Sequence, residues 1–338
     1  MGFEEQSCNM SGNMSSNMSV NSSNIACKDE WTNRHVVSAV VYGLVLVVGL
    51  PLNGVSLWIL LRRHGLRSSS AVLMINLAVS DLLLAVSLPL RIYFYATLDW
   101  PFGLGTCTAA IMLFRINFRT SCVFITLISL DRFFALVFPL RTRCLRTSAF
   151  ASKCCVLVWI LLTLLSIPNI VNHYNALKSS ICGSDVKISC FESRDVVKGS
   201  KVAALSQAIF LLILFMVNFV CTAMVIRALK KRPSGDETKV NNKMNVILIF
   251  AVNMLVFIVF FMPFALQLMI LNYNTENVNN QELRNNQEML HALICLASIN
   301  CCLDPLIYYF SLDSFWQDKD KIQWDATTQS ISRSMERS

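Results

Sequence analysis

Apolar positions along this chain gather into seven long runs. They lie at Val36 to Leu61, Ala71 to Tyr95, Thr108 to Val137, Phe150 to Val171, Val202 to Leu229, Met244 to Leu271 and Met289 to Phe310. Each is long enough to cross a bilayer core of ~30 Å, which takes about 20 helical residues. Segments of about ten residues alternating apolar and polar would mark a membrane β-barrel, and none occur. The pattern predicts an all-α membrane protein, a bundle of seven transmembrane helices. It divides the chain into a polar tail at 1–34, a seven-helix domain at 35–311 and a short tail at 312–338.

Composition agrees. Of 338 residues, 54% are hydrophobic and 15% charged, against about 25% charged in soluble domains. Disorder needs the opposite balance. The net charge of +8 first looks like a nucleic-acid signature, but the basic residues sit in short loops with no interleaved aromatics. One loop set holds Arg62, Arg63 and Arg67, then Arg141, Arg143 and Arg146, then Arg227 to Lys243. The positive-inside rule makes that side cytoplasmic. Asn9, Asn13, Asn17 and Asn21 each open an Asn-X-Ser sequon, which is glycosylated only on the opposite side. Seven crossings with the N-terminus outside put the C-terminus inside, as expected for a multi-pass plasma-membrane protein.

Of thirteen cysteines, twelve divide by location. Cys122, Cys154, Cys155, Cys221, Cys295, Cys301 and Cys302 fall within helices, where a buried thiol packs as a small hydrophobe. Cys8, Cys27, Cys107, Cys182 and Cys190 fall in the oxidising region. A bridge from Cys107, opening the third helix, to Cys190 would pin the loop before the fifth helix over the bundle mouth. Cys27 with Cys182 is a second candidate bridge, and the odd count leaves the pairing open. The four histidines are scattered and none sits beside cysteine at metal-ligand spacing.

Polar groups at membrane depth are expensive and mark function by default. Asp81, Asn117, Asn300 and Asp304, with Asn53, spread over four helices. Asn117 lies ten residues below Cys107, a descent of ~15 Å. Interhelical hydrogen-bond glue is one reading; a shared core able to hold Na+ and to switch between two arrangements is the favoured one. Asp131 and Arg132 close the same helix, Arg132 being ~37 Å from Cys107 by the helical rise. Their bland reading is an interfacial ion pair of little worth.

These marks now resemble a family. Asn53 follows Gly49; Asn76-Leu-Ala-Val-Ser-Asp81, Trp100-Pro-Phe-Gly103, Cys107 with Cys190, Asp131-Arg132-Phe133, Trp159 with Pro168, Phe260 to Pro263, and Asp304-Pro305-Leu-Ile-Tyr308 follow in order. Over nearly its whole length the chain resembles the rhodopsin-class (class A) G-protein-coupled receptors. Phe133 for the usual Tyr, and Asp304 for the usual Asn, fit the purinergic-like branch. The resemblance implies a receptor without catalysis or cofactor, a switch at Asp131, Arg132 and Tyr308, and a heterotrimeric G protein as partner.

The upper half would hold the ligand. Arg91 follows Pro89 on the second helix; Arg115 and Arg119 sit four residues apart on one face of the third; His173 is expected to end the fourth; Lys198 and Lys201 precede the fifth. Arginines at this depth with no nearby acid invite an anionic ligand, and their forks suit phosphate or carboxylate. Arg91 could instead snorkel outward, and Arg119 could serve helix packing. The runs Gly49 to Asn53, Leu88-Pro-Leu-Arg91 and Cys190-Phe-Glu-Ser193 are similar to the lysophosphatidic acid receptors, subtype five in particular. That resemblance implies an anionic lysophospholipid ligand and G proteins of the Gq or G12/13 type. It matches Arg91 and His173 by position, while Thr275 and Gln287 replace basic residues expected on the sixth and seventh helices. A carboxylate agonist would suit the same arginines. A transporter lacks support in the odd helix number and absent inverted repeats, and a membrane enzyme lacks a nucleophile–base pair.

Overall fold

The computed structural model describes residues 33–138, 141–142, 146–182, 190–191, 201–230, 237–273, 281–282, 285–306 and 308. Seven helices long and apolar enough to span a membrane occur among them. α1 is Asn33–Ile59, continued by a π turn at Leu60–His64. α2 is Ser69–Thr97, α3 Gly103–Val137, α4 Ser148–Cys182 and α5 Lys201–Lys230. α6 combines Glu237–Val256, a π turn at Phe257–Phe261 and Met262–Tyr273; α7 is Asn285–Leu306. The sequons at Asn9, Asn13, Asn17 and Asn21, and Cys8 and Cys27, lie outside the described residues.

Local chemistry sets several boundaries. Ser68 caps α2 by accepting the Ala71 N–H at 3.2 Å, satisfying one of the donors a helix start leaves free. α2 stops at Leu98, left-handed at φ 53° and donating its N–H to the Phe94 carbonyl, an αL ending of the kind helices commonly adopt. Pro263 has no N–H and its ring crowds the carbonyl four residues back. α6 absorbs this in the π turn, where the Met262 N–H reaches the Phe257 carbonyl.

One helix departs from expectation. The hydrophobic run ends near Val171, yet α4 continues to Cys182, so His173 is an internal residue of α4 and not its end. Polar side chains end a membrane span; only a breaker ends a helix, and no Gly or Pro stands between Asn169 and Cys182. α6 likewise starts before Met244, at Glu237.

α3 runs through the centre and is tied by polar side chains to its neighbours. Asn218 of α5 donates to Thr126 Oγ1 at 2.8 Å, and Asn253 of α6 to Ser129 Oγ at 2.9 Å. Trp159 of α4 donates to Asn76 Oδ1 of α2 at 3.0 Å. α1 meets α7 closely at Gly49, where a Cβ would lie 3.0 Å from Cys301 Sγ. The outward faces of α1, α4 and α5 display large apolar side chains, including Val47, Leu165 and Ile213. In water such a surface would aggregate; in lipid it is the required one.

Candidate functional site

The mouth of the bundle is built on a disulfide. Cys107, on the first turns of α3, is bonded to Cys190. This fixes Phe191 beside Phe94 (ring centroids 5.2 Å) and Trp100 (5.5 Å). The seven helix cysteines are free thiols. Cys182 closes α4.

Arg91 lies under this aromatic roof. Its Cζ is 4.6 Å from the Phe191 ring centroid and 4.5 Å from that of Phe114, with Tyr42 at 5.7 Å. The side chain is only 4% exposed, so it does not snorkel. Its Nε and the Tyr42 hydroxyl are buried without a hydrogen-bond partner among the described residues. Stacking on ring faces offsets part of the cost of burying a guanidinium but supplies no counter-charge. His291 of α7 lies within electrostatic reach of Arg91, Arg34 and His35, adding basic groups that the sequence reading missed. Hydrophobic patterning gives no sign of them, since α1 and α7 meet only through tertiary packing.

Arg115 follows Phe114 on α3 and lies within electrostatic reach of both Arg91 and Arg119. His173 of α4, 5% exposed with both ring nitrogens unpartnered among the described residues, is within its reach as well. Among the described residues neither Arg91 nor Arg115 forms an ion pair.

Arg119 is taken up by packing. Its Nε donates to Gln207 Oε1 of α5 at 2.6 Å and its Nη1 to Ser166 Oγ of α4 at 3.2 Å. Through Nε and Nη1 it ties three helices together. Four residues below Arg115, it faces the α4–α5 seam, where amide and hydroxyl acceptors replace an anion.

Further down, the mid-membrane polar residues do converge. Asn117 donates to Asp81 Oδ1 at 3.2 Å and to the Ser80 carbonyl at 2.9 Å; Ser121 donates to Asp81 Oδ1 at 3.4 Å. Asn300 donates to Asp304 Oδ2 at 3.0 Å. The two carboxyls stand within hydrogen-bonding reach of one another. Asn53 donates to the Cys301 carbonyl at 2.7 Å, holding α1 to this layer. Asp81 Oδ2, Asp304 Oδ1 and Asn300 Oδ1 are buried without a donor. Two buried carboxyls this close need a shared proton or a cation between them, and the oxygen-only donor set suits a hard cation.

At the other end of α3, Asp131 accepts from Ser70 Oγ of α2 at 2.5 Å and pairs with Arg146 Nε at 3.6 Å. Arg132 is its neighbour, and the buried Tyr308 hydroxyl has no partner among the described residues.

One polypeptide thus joins a basic mouth, a polar middle layer and a charged far end. Residues 52–308 match the model of the 7 transmembrane receptor (rhodopsin family). The chain belongs to that family. Similar proteins include lysophosphatidic acid receptor 4 of Homo sapiens, 33% identical over 300 residues covering 87% of this chain and 79% of that one. Lysophosphatidic acid receptor 5 of Mus musculus is 34% identical over 301 residues, 87% and 80% of the two chains. Lysophosphatidic acid receptor 6 of Mus musculus is 31% identical over 310 residues, 90% and 89%. Three subtypes at nearly equal identity leave subtype five unsingled. The receptor is a multi-pass plasma-membrane protein that engages a heterotrimeric G protein, and it is not an enzyme.

Proposed function

We propose that this receptor binds an anionic lysophospholipid, lysophosphatidic acid first among them, and signals through G proteins of the Gq or G12/13 type. The observation that carries this reading is Arg91: a buried guanidinium held between two aromatic rings, with no acid paired to it and Nε unpartnered among the described residues. A charge left this way in a low-dielectric site is costly, and a phosphate that enters the mouth relieves it through charge-assisted hydrogen bonds. Tyr42 and the histidines beside Arg91 can donate to the same head group. The names of the similar receptors support the choice of ligand.

The orientation that goes with this puts Cys107 outside and Asp131 inside, with residues 1–34 as a glycosylated outer tail and 312–338 as a cytoplasmic one. Between the two ends, Asp81, Asp304, Asn300 and Asn117 form the layer that changes arrangement. Na+ is the cation that fits there, with Asp81, Asp304 and Asn300 offering the free oxygens; it would add positive charge that stabilises the resting arrangement. Agonist binding shifts the equilibrium by its differential affinity for the two states, and Asp131, Arg132 and Tyr308 deliver the change to the G protein.

The test is G-protein activation in transfected cells by lysophosphatidic acid, comparing wild type with Arg91→Ala and Arg115→Ala at equal surface expression. A wild-type response lost in Arg91→Ala is expected. Silence from a wild-type receptor present at the surface rejects the named ligand, and a panel of carboxylates and other lysolipids comes next.

A further inference from the structure

Arg146 holds Asp131 from the segment that joins α3 to α4, and that segment carries three hydroxyls, on Thr142, Thr147 and Ser148. Thr142 is buried and donates to the Phe138 carbonyl at 2.8 Å. Ser148 is half-buried and already in the first turn of α4. Thr147 is exposed, one residue before the span that opens at Ser148. Its Oγ1 accepts the Phe150 N–H at 3.3 Å, which uses a lone pair and not the proton. Arg146 precedes Thr147 directly, and Arg141 and Arg143 stand six and four residues before it. The guanidinium of Arg146 lies with Nε 3.6 Å from Asp131 Oδ1 and is 30% exposed. A partly exposed arginine thus serves a buried carboxylate while its chain neighbour is an accessible hydroxyl.

We propose that Thr147 is a phosphorylation site, and that its phosphate draws Arg146 away from Asp131. The kinase is one whose acidic substrate groove reads the arginines ahead of the target. In the transfer Thr147 Oγ1 attacks the γ-phosphorus of ATP, the bond to the β,γ-bridging oxygen breaks, ADP leaves, and the hydroxyl proton passes to the kinase's base. The product carries a charge of about −1.5 to −2 and three strong acceptor oxygens, a good partner for arginine. Asp131 offers a single charge and sits deeper, so the phosphate wins Arg146. Its oxygens can still accept the Phe150 N–H, so α4 keeps its cap. Asp131 then keeps the Ser70 bond and loses Arg146, which weakens the resting arrangement. The access of a cytoplasmic kinase and the effect on signalling rest on the orientation and function proposed above.

Two measurements decide the matter. The first locates phosphate in the full-length receptor by fragmentation of its peptides. The receptor is taken from cells treated with a phosphatase inhibitor, and separately after incubation in detergent with ATP and the catalytic domain of protein kinase C. Phosphate on Thr147 is expected in both. Its absence from Thr147 in the cellular sample overturns the proposal. An antibody against an N-terminal epitope on unpermeabilised cells reads the orientation independently, so a reversed receptor is told apart from an unused site. The second is agonist-independent G-protein signalling at equal surface expression. Thr147→Glu should raise it by up to about fivefold, as loss of the Arg146 contact does. Thr147→Gln, of the same size without the charge, should stay at the wild-type level. In the Arg146→Ala background Thr147→Glu should add nothing, because both act through one contact. A rise that persists in that background, or no rise in the wild-type background, overturns the coupling to Asp131. Neither measurement uses a ligand, so a receptor silent towards lysophosphatidic acid loses the proposed agonist and not this site.

Discussion

Arg146 Nε stands 3.6 Å from Asp131 Oδ1, tying the segment after α3 to the acid that precedes Arg132. Ser70 donates to the other carboxylate oxygen, so Asp131 is held from two sides. Asp131 is 6% exposed and Arg146 30%, so the pair is partly screened and contributes up to about 1 kcal/mol. Arg146→Ala should therefore raise agonist-independent G-protein signalling by up to about fivefold, at unchanged surface expression. Ser70→Ala should act in the same direction. Basal signalling that stays at the wild-type level in both would mean that the contacts of Asp131 do not hold the resting state.

The middle layer predicts an ion effect. With Asp81 and Asp304 facing one another and free carboxyl oxygens on both, replacing Na+ by a bulky organic cation should raise agonist affinity by about fivefold or more. Asp304→Asn removes one charge of the pair and should abolish that dependence while leaving ligand binding measurable. Radioligand competition in membranes, in the two salts, reads this directly. An affinity indifferent to Na+ in the wild type argues for the shared proton.

Much of this was legible in the residues. Seven apolar runs gave the helix count, because lipid demands continuous hydrophobicity; the boundaries held to a few residues except where α4 outruns its apolar stretch past Val171 and where α6 begins at Glu237, ahead of Met244. Asp81, Asn117, Asn300 and Asp304 were found by being polar at depth, and they do meet. What remained hidden was rotation. Spacing placed Arg115 and Arg119 on one face of α3 but could not tell that α4 and α5 supply Ser166 and Gln207 for Arg119. Phe191 and His291 were missed for a related reason: each gains its role from a distant segment, one through a disulfide and the other through helix packing.

Arg91 should not tolerate lysine. The guanidinium stacks between Phe114 and Phe191 at 4.5 and 4.6 Å, a contact of about 0.5–2 kcal/mol, and an ammonium keeps the charge but loses the plane and the fork. Arg91→Lys should lower agonist potency about tenfold if 1.4 kcal/mol is lost, and Arg91→Ala further. Phe191→Ala should reproduce part of the Arg91→Lys loss, since it opens the roof without touching the charge. A lysine variant of wild-type potency would show that charge alone is read.

Arg119 offers the opposite test, of a charge that serves packing. Gln207→Leu removes the acceptor of its 2.6 Å hydrogen bond and leaves Ser166 alone to satisfy the guanidinium. Hydrogen bonds to charged groups contribute about 1.5–3 kcal/mol, so the purified variant should melt several degrees below wild type. Arg119→Met removes the charge itself, and replacing a buried charge by an apolar side chain of similar volume is often neutral or stabilising. Combined with Gln207→Leu it should restore the melting temperature, a non-additivity diagnostic of direct contact. Agonist potency in Arg119→Met should stay near wild type, in contrast to Arg91→Ala. A loss of potency matching that of Arg91→Ala, in a receptor of normal stability, would return Arg119 to the ligand site.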